Sequence, residues 1–195
     1  MDRSAGSTER NIVMKTIGIC GVPATGKSTL MREVMLQLLT GTCNSWEKGR
    51  YGMLDYLQCE NLYVLGKYEH SQFDGTDRLS MSVVGDAEAF LMARSEGDVV
   101  MFEGDRLFCE RFINQVVSAG EFMLIQLTGS NEEIHARWKQ RYHEGIQQSE
   151  SFIKGRITKY KNLRKKFPFI KCMNNNNDAD MEGIIEQIID FVAPF

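Results

Sequence analysis

Apolar and polar positions along the chain fall into five short apolar runs separated by longer stretches of helical period. Ile12–Cys20 is rich in β-branched residues and stops at Gly21. A near-continuous apolar run of that length predicts a strand buried on both faces. Asn61–Gly66 (NLYVLG), Asp98–Phe102 (DVVMF), Phe122–Leu127 (FMLIQL) and Phe169–Met173 repeat the pattern. Between them, Ser28–Thr40 carries Leu30, Val34 and Leu38 with Met31, Met35 and Leu39 interleaved, a helical face that Gly41 would close. Helices are also predicted over Val84–Arg94, Leu107–Ser118, from Ser130 or Asn131 to about His143, over Ser149–Lys165 and over Met181–Val192. Glu133 stands three residues after Ser130, a capping-box spacing. Residues 42–60 are mixed and aromatic and predict helix with loop; residues 67–82 are polar and predict a loop. Alternation of strand and helix over five units predicts an α/β fold: a five-stranded parallel sheet with helices on both faces.

At 195 residues the chain is expected to form one domain over residues 1–195, with residues 1–10 as a polar leader. An apolar fraction of 43% and a charged fraction of 25% argue against wholesale disorder. No apolar run reaches the length of a membrane span, and no apolar stretch follows Arg3 and Arg10 as a secretory signal would need. A cytoplasmic protein without a membrane partner is expected. The five cysteines include no CxxC pair, and His70, His135 and His143 do not combine with them at ligand spacing. Reduced thiols serving as small core residues are expected, and a zinc site is not.

The sharpest signal lies at the end of the first predicted strand. Gly21-Val22-Pro23-Ala24-Thr25-Gly26-Lys27-Ser28 fits GxxxxGK[ST], with a strand before it and an amphipathic helix after it. Glycines let the backbone curl so that successive N–H groups face phosphates, and the helix N-terminus adds its dipole. Lys27 would reach the β- and γ-phosphates of ATP, and the Ser28 hydroxyl would ligate Mg²⁺. Gly21, Ala24, Thr25, Gly26, Lys27, Ser28 and Thr29 are therefore the expected nucleotide-binding residues. A GTPase would want a DxxG after the third strand and an NKxD after the fourth or fifth, and neither occurs. A large ATPase motor would want a longer chain and an Asp-Glu pair.

Ligands of open α/β sheets bind beyond the C-terminal ends of the strands. Four carboxylates are predicted there. Glu103 and Asp105 close the third strand, and Asp74 and Asp77 lie in the loop after the second. Asp105, Glu103 or Asp77 would orient an acceptor hydroxyl and take its proton. Glu103 or Asp105 could instead hold Mg²⁺ through water, with Glu103 the candidate to do so beside Ser28. Arg78 and Arg106 each follow an acid, which suits an acceptor carrying both a hydroxyl and a phosphate; Asp74, Asp77, Arg78 and Arg106 are the candidate substrate residues. The net charge is −3 but uneven: residues 134–171 hold eleven Lys and Arg against two Glu. A basic lobe on an acidic body points to an anionic ligand.

In the order of its elements, its P-loop, its Glu103-Gly104-Asp105-Arg106 and its Arg137 and Arg141, the chain resembles the P-loop kinases of nucleosides, nucleotides, gluconate and polynucleotides. That resemblance implies a helical basic lid over about residues 132–165. Arg137 and Arg141, one turn apart on one helical face, would clamp the transferring phosphoryl group. The asparagine run 174–177 falls where that group often holds adenine. The segment Leu65-Gly66-Lys67-Tyr68 … Phe73-Asp74-Gly75-Thr76-Asp77-Arg78-Leu79-Ser80-Met81 further resembles bacteriophage P-loop kinases that phosphorylate 5-hydroxymethyluracil within DNA. The resemblance implies ATP as donor, the hydroxymethyl group of a base in DNA as acceptor, extrusion of that base and a host-cell cytoplasmic location. The basic segment would then track the DNA backbone, and Trp46, Tyr51, Tyr56, Tyr63, Tyr68 and Phe73 would offer stacking surface. A kinase of free nucleosides, nucleotides or other small molecules is the alternative, and a non-catalytic P-loop ATPase switch the second.

Overall fold

The computed structural model describes residues 13–41, 44–69, 74–143 and 148–193; the leader 1–10 and the residues Cys43, His70 and Phe73 lie outside the described residues. Strands β1 (Lys15–Cys20), β2 (Glu47–Tyr51), β3 (Leu54–Cys59), β4 (Leu62–Leu65), β5 (Val99–Glu103), β6 (Glu121–Thr128) and β7 (Lys171–Asn174) form one sheet of order β2-β3-β4-β5-β1-β6-β7. The helices are α1 (Lys27–Gly41), α2 (Val84–Met92), α3 (Glu110–Ala119), α4 (Asn131–His143), α5 (Glu150–Lys166) and α6 (Asp178–Val192).

The five predicted strands are β1, β4, β5, β6 and β7, and they pair in parallel. Their period of two sends Ile17, Ile19, Val99, Met101, Ile125 and Leu127 to one face, against α1 and α6. Val100, Phe102 and Leu124 go to the other face, with residues of α2, α3 and α5. Both faces are therefore covered, as expected.

The expected sheet of five strands is corrected to seven, and the sheet is mixed. Residues 47–59, expected as helix with loop, are the antiparallel hairpin β2–β3, and β3 runs antiparallel to β4. The physical reason is that the aromatics of this stretch share one apolar cluster across the strands. Tyr56 lies 4.8 Å, Tyr63 5.6 Å and Tyr51 5.8 Å from Phe90 of α2, ring centre to ring centre. A second correction concerns the thiols. Cys20 is a free, buried thiol, but Cys172 is free and exposed, and Cys59 is disulfide-bonded. Among the described residues no helix is long and apolar enough to cross a membrane.

Candidate active site

β1 ends where α1 begins, and the chain between them turns through positive φ at Ala24 (68°) and Gly26 (89°). The Thr25 hydroxyl donates to the Val22 carbonyl at 2.9 Å, and Lys27 Nζ folds back onto the carbonyls of Gly21 (3.1 Å) and Val22 (3.4 Å). The loop thus satisfies its cation internally. Thr29 is exposed at the first turn of α1.

The next residues of α1 reach the acids. Ser28 Oγ donates to Glu103 Oε1 at 2.8 Å. One turn on, Arg32 Nε donates to Asp74 Oδ2 at 3.0 Å, with its Nη2 on the same oxygen. Positions four apart share a helix face, so a single face of α1 addresses the end of β5 and the loop after β4. Glu103 is almost completely buried. Burial pushes its carboxyl up to about 7, against the opposing pull of Lys27 and the Ser28 hydrogen bond. Its own carbonyl accepts from Thr76 Oγ1 at 2.8 Å.

The other three carboxylates are engaged within the protein. Asp74, whose side chain is fully buried, also accepts from the Glu69 amide at 3.2 Å. Asp77 Oδ1 accepts from the backbone amides of Asp105 (2.7 Å) and Arg106 (3.1 Å), fixing the turn after β5. Asp105 is held by α5: Lys159 Nζ at 2.7 Å and the Tyr160 hydroxyl at 2.9 Å on Oδ1, with Arg156 paired to Oδ2. The acids expected at the strand ends do come together there, but most of them anchor loops. The candidate substrate arginines are similarly engaged. Arg78 pairs with Glu69 at 2.9 Å, and Arg106 reaches the Asp77 carbonyl at 3.3 Å and Met81 Sδ.

Arg137 lies at the opposite side of the loop. Its Nη1 and Nη2 donate to the carbonyls of Asn175 (2.9 Å) and Asn176 (3.1 Å), in the turn after β7. Arg141 lies on α4, and its side chain is outside the described residues. The asparagine run itself is a junction. Asn174 Oδ1 accepts from the Thr128 hydroxyl at 2.8 Å, Asn176 Oδ1 from the Ser130 amide at 2.7 Å, and Asn177 Oδ1 caps α6 through the Asp180 amide at 2.9 Å. Buried Asn175 donates from Nδ2 to the Thr25 carbonyl at 2.8 Å. A Cβ on Gly26 would stand 2.5 Å from that nitrogen, so the close approach requires glycine. Sequence reasoning missed this brace. The only signal was the Asn177-to-Asp180 cap spacing, which places the run at a helix entry.

Stacking surface is smaller than expected. Tyr63 is buried, Tyr56 is half-buried against Phe90, and Trp46 donates its indole N–H to the Met35 carbonyl at 3.3 Å. Tyr51 remains part-exposed. The segment expected as a lid forms two helices, α4 and α5. Ser149 caps α5 through the Phe152 amide at 3.2 Å, and the basic side chains of α5 meet the end of β5 at Asp105.

A hydroxyl and a carboxylate 2.8 Å apart are hard oxygen donors of the kind that would suit Mg²⁺. Among the described residues no group of three or more His, Cys, Asp and Glu forms a cage of its own.

A phosphate-binding loop between a central parallel strand and its helix, with an acid from the adjacent strand on the loop's serine, defines the P-loop kinase-like class of nucleotide-binding proteins. Within that class the chain belongs to the P-loop Nucleotide Kinase3 family, whose model matches residues 12–182. No curated protein matches the chain. Among solved structures it is similar to Kti12 of Chaetomium thermophilum in complex with ADP-AlF3, at 15% identity and a TM-score of 0.53, covering 92% of this chain and 100% of that one. A gluconokinase from Sinorhizobium meliloti 1021 aligns at 9% identity and a TM-score of 0.46 over 94% and 93% of the two chains. The Kti12 likeness supports the fold.

Proposed function

We propose that the protein is an ATP-dependent, magnesium-requiring kinase that phosphorylates a hydroxyl group, and that its acceptor is the 5-hydroxymethyl group of 5-hydroxymethyluracil in phage DNA. The observation that carries the kinase reading is Glu103. It is a buried acid bonded to the P-loop serine, with a carboxyl near 7 that can take a proton at neutral pH. The DNA reading is supported by the resemblance of residues 65–81 to the phage kinases. It is also supported by the basic helix α5, which anchors on Asp105 at the end of β5 that carries Glu103.

Lys27 exchanges its two carbonyl partners for phosphate oxygens when ATP binds. Ser28 would hold Mg²⁺ directly and Glu103 only through water, which leaves its carboxylate open to a proton; the ion when bound would neutralise charge on the transferred group. The acceptor oxygen forms its bond to the γ-phosphorus as the bond to the β–γ bridging oxygen breaks. ADP leaves, and the acceptor proton passes to a Glu103 oxygen. Asp77 and Asp105 hold the loops that define the acceptor end. Arg137, which holds the turn after β7 through the Asn175 and Asn176 carbonyls, and Arg141, one helical turn on, are assigned to the transferring phosphoryl group by spacing.

The test is transfer of label from γ-³²P-ATP with Mg²⁺ to a panel: duplex DNA with 5-hydroxymethyluracil, ordinary DNA, 5′-hydroxyl oligonucleotides, free nucleosides and nucleotides, and gluconate. Label confined to the hydroxymethyluracil DNA is expected. Label in a free nucleoside or nucleotide would refute the DNA acceptor, and hydrolysis of ATP with no labelled acceptor would refute the kinase.

A further inference from the structure

Tyr68 stands in the loop that follows β4 and covers Glu103. The backbones of Lys67 and Gly75 pair through two hydrogen bonds, at 3.1 and 2.8 Å. The Glu69 amide bonds Asp74, so Tyr68 is fixed on both sides. Gly75 lies directly on the acid: a Cβ there would stand 2.2 Å from Glu103 Oε1, and its φ of 87° suits glycine. The Tyr68 ring packs against the apolar cluster that includes Leu30, Met31 and Val34 of α1. Its phenol oxygen is buried and has no hydrogen-bond partner among the described residues. The charged groups that act on it are Glu103, then Asp74 and Asp77, with Arg32 opposing.

Each of those neighbours has a partner: Glu103 has Ser28, Asp74 has Arg32, and Asp77 has two backbone amides. The Tyr68 hydroxyl has a proton to donate and none of them receives it. Buried hydroxyls in folded proteins are nearly always bonded, and an exception calls for an explanation. We propose that the Tyr68 hydroxyl donates to the oxygen of the acceptor's reacting hydroxyl, leaving that hydroxyl's own proton directed at Glu103, and that it selects a neutral alcohol as acceptor. An acceptor phosphate would instead meet the carboxylates of Glu103, Asp74 and Asp77, with Arg78 and Arg106 committed to Glu69, Met81 and the Asp77 carbonyl. The inference rests on the hydroxyl acceptor proposed above and adds the residue that recognises it.

Tyr68→Phe keeps the ring and removes only the oxygen. On whichever alcohol of the panel the wild-type protein labels, the variant is expected to raise the acceptor KM and lower kcat/KM for the acceptor by about tenfold or more, the effect of one buried hydrogen bond. The KM for ATP is expected to stay within about twofold. Removing an unpartnered buried hydroxyl leaves the melting temperature of the free protein equal or higher. An unchanged acceptor kcat/KM would overturn the proposal, as would a fall in melting temperature with both KM values rising together, the signature of a structural hydroxyl. Phosphorylation of a nucleoside 5′-monophosphate on its phosphate would overturn the neutral-alcohol selection. Labelling of a free nucleoside or of gluconate would remove the DNA acceptor and leave the Tyr68 test intact. Labelling of no alcohol would overturn both.

Discussion

Replacing Glu103 by Gln separates what this residue does for chemistry from what it does to stability. A carboxyl held at about 7 in the folded protein and at its ordinary 4.5 in the unfolded chain binds an extra proton in the native state between those values. Stability rises with pH only where the unfolded state holds more protons. Here the native state holds more, so this group's contribution is complete below about 4.5 and is lost as pH climbs to about 7. The gap between the two values corresponds to about 3 kcal/mol. Glutamine keeps the shape and an oxygen for the Ser28 hydroxyl but has no charge to desolvate.

The difference in stability between Glu103→Gln and wild type should therefore be small at pH 5, grow in favour of the variant through pH 6 and 7, and level off by pH 8. Its full span is up to about 3 kcal/mol, or roughly 6–12 °C in Tm for a chain of this size. Thermal and urea unfolding in EDTA, from pH 5 to 8.5, read it directly, because other titrating groups cancel in the difference. A difference that is flat across that range would refute the reasoning, whatever its sign. In the kinase assay the same variant should lose about 10²-fold or more in kcat above pH 7, where the wild-type carboxyl is ionised and can accept the acceptor proton, and the difference should narrow as pH falls. Gain of stability with loss of turnover is the signature of an acid buried for function.

Lys27→Ala should lower kcat by orders of magnitude while leaving Tm within a few degrees, because among the described residues the ammonium is bonded to no more than two loop carbonyls; retained turnover in the label-transfer assay would refute its phosphate role. Asp74→Asn breaks the pair with Arg32, whose own side chain is 40% exposed. A loss of about 2 kcal/mol is expected, below the value for a fully buried pair, and urea unfolding checks it. Asn175→Ala leaves the buried Thr25 carbonyl without its donor, which should cost about 1–3 kcal/mol and weaken binding of a fluorescent ATP analogue by about tenfold; unchanged affinity would show that the brace does not set the loop.

The parallel core was readable because its residues are apolar for local reasons. A strand covered on both faces has no polar positions to dilute the pattern, and β1, β4 and β5 stand where such runs occur; β7 is a mostly exposed edge strand, marked only by the run that starts at Phe169. The β2–β3 hairpin was not readable the same way. β2 is an edge strand of mostly exposed residues, and in β3 the buried positions Leu54, Leu57 and Cys59 do not keep strict alternation. Its local signal was the pair Gly52-Met53, a two-residue connection between Tyr51 and Leu54. The site divides along the same line. GxxxxGKS could be read because phosphate binding there uses backbone amides of a local loop, whose geometry the glycines themselves dictate. The roles of the acids could not, because a carboxylate's role depends on the partner that reaches it, and those partners lie far along the chain. Asp105 is claimed by Lys159 and Tyr160, and Asp74 by Arg32. Equivalent acids in the sequence become unlike in the fold: Asp74 and Asp105 are neutralised by distant cations and Asp77 is held by two backbone amides, which together build the cradle, while Glu103 has a neutral hydroxyl for a partner and keeps its proton affinity for the reaction.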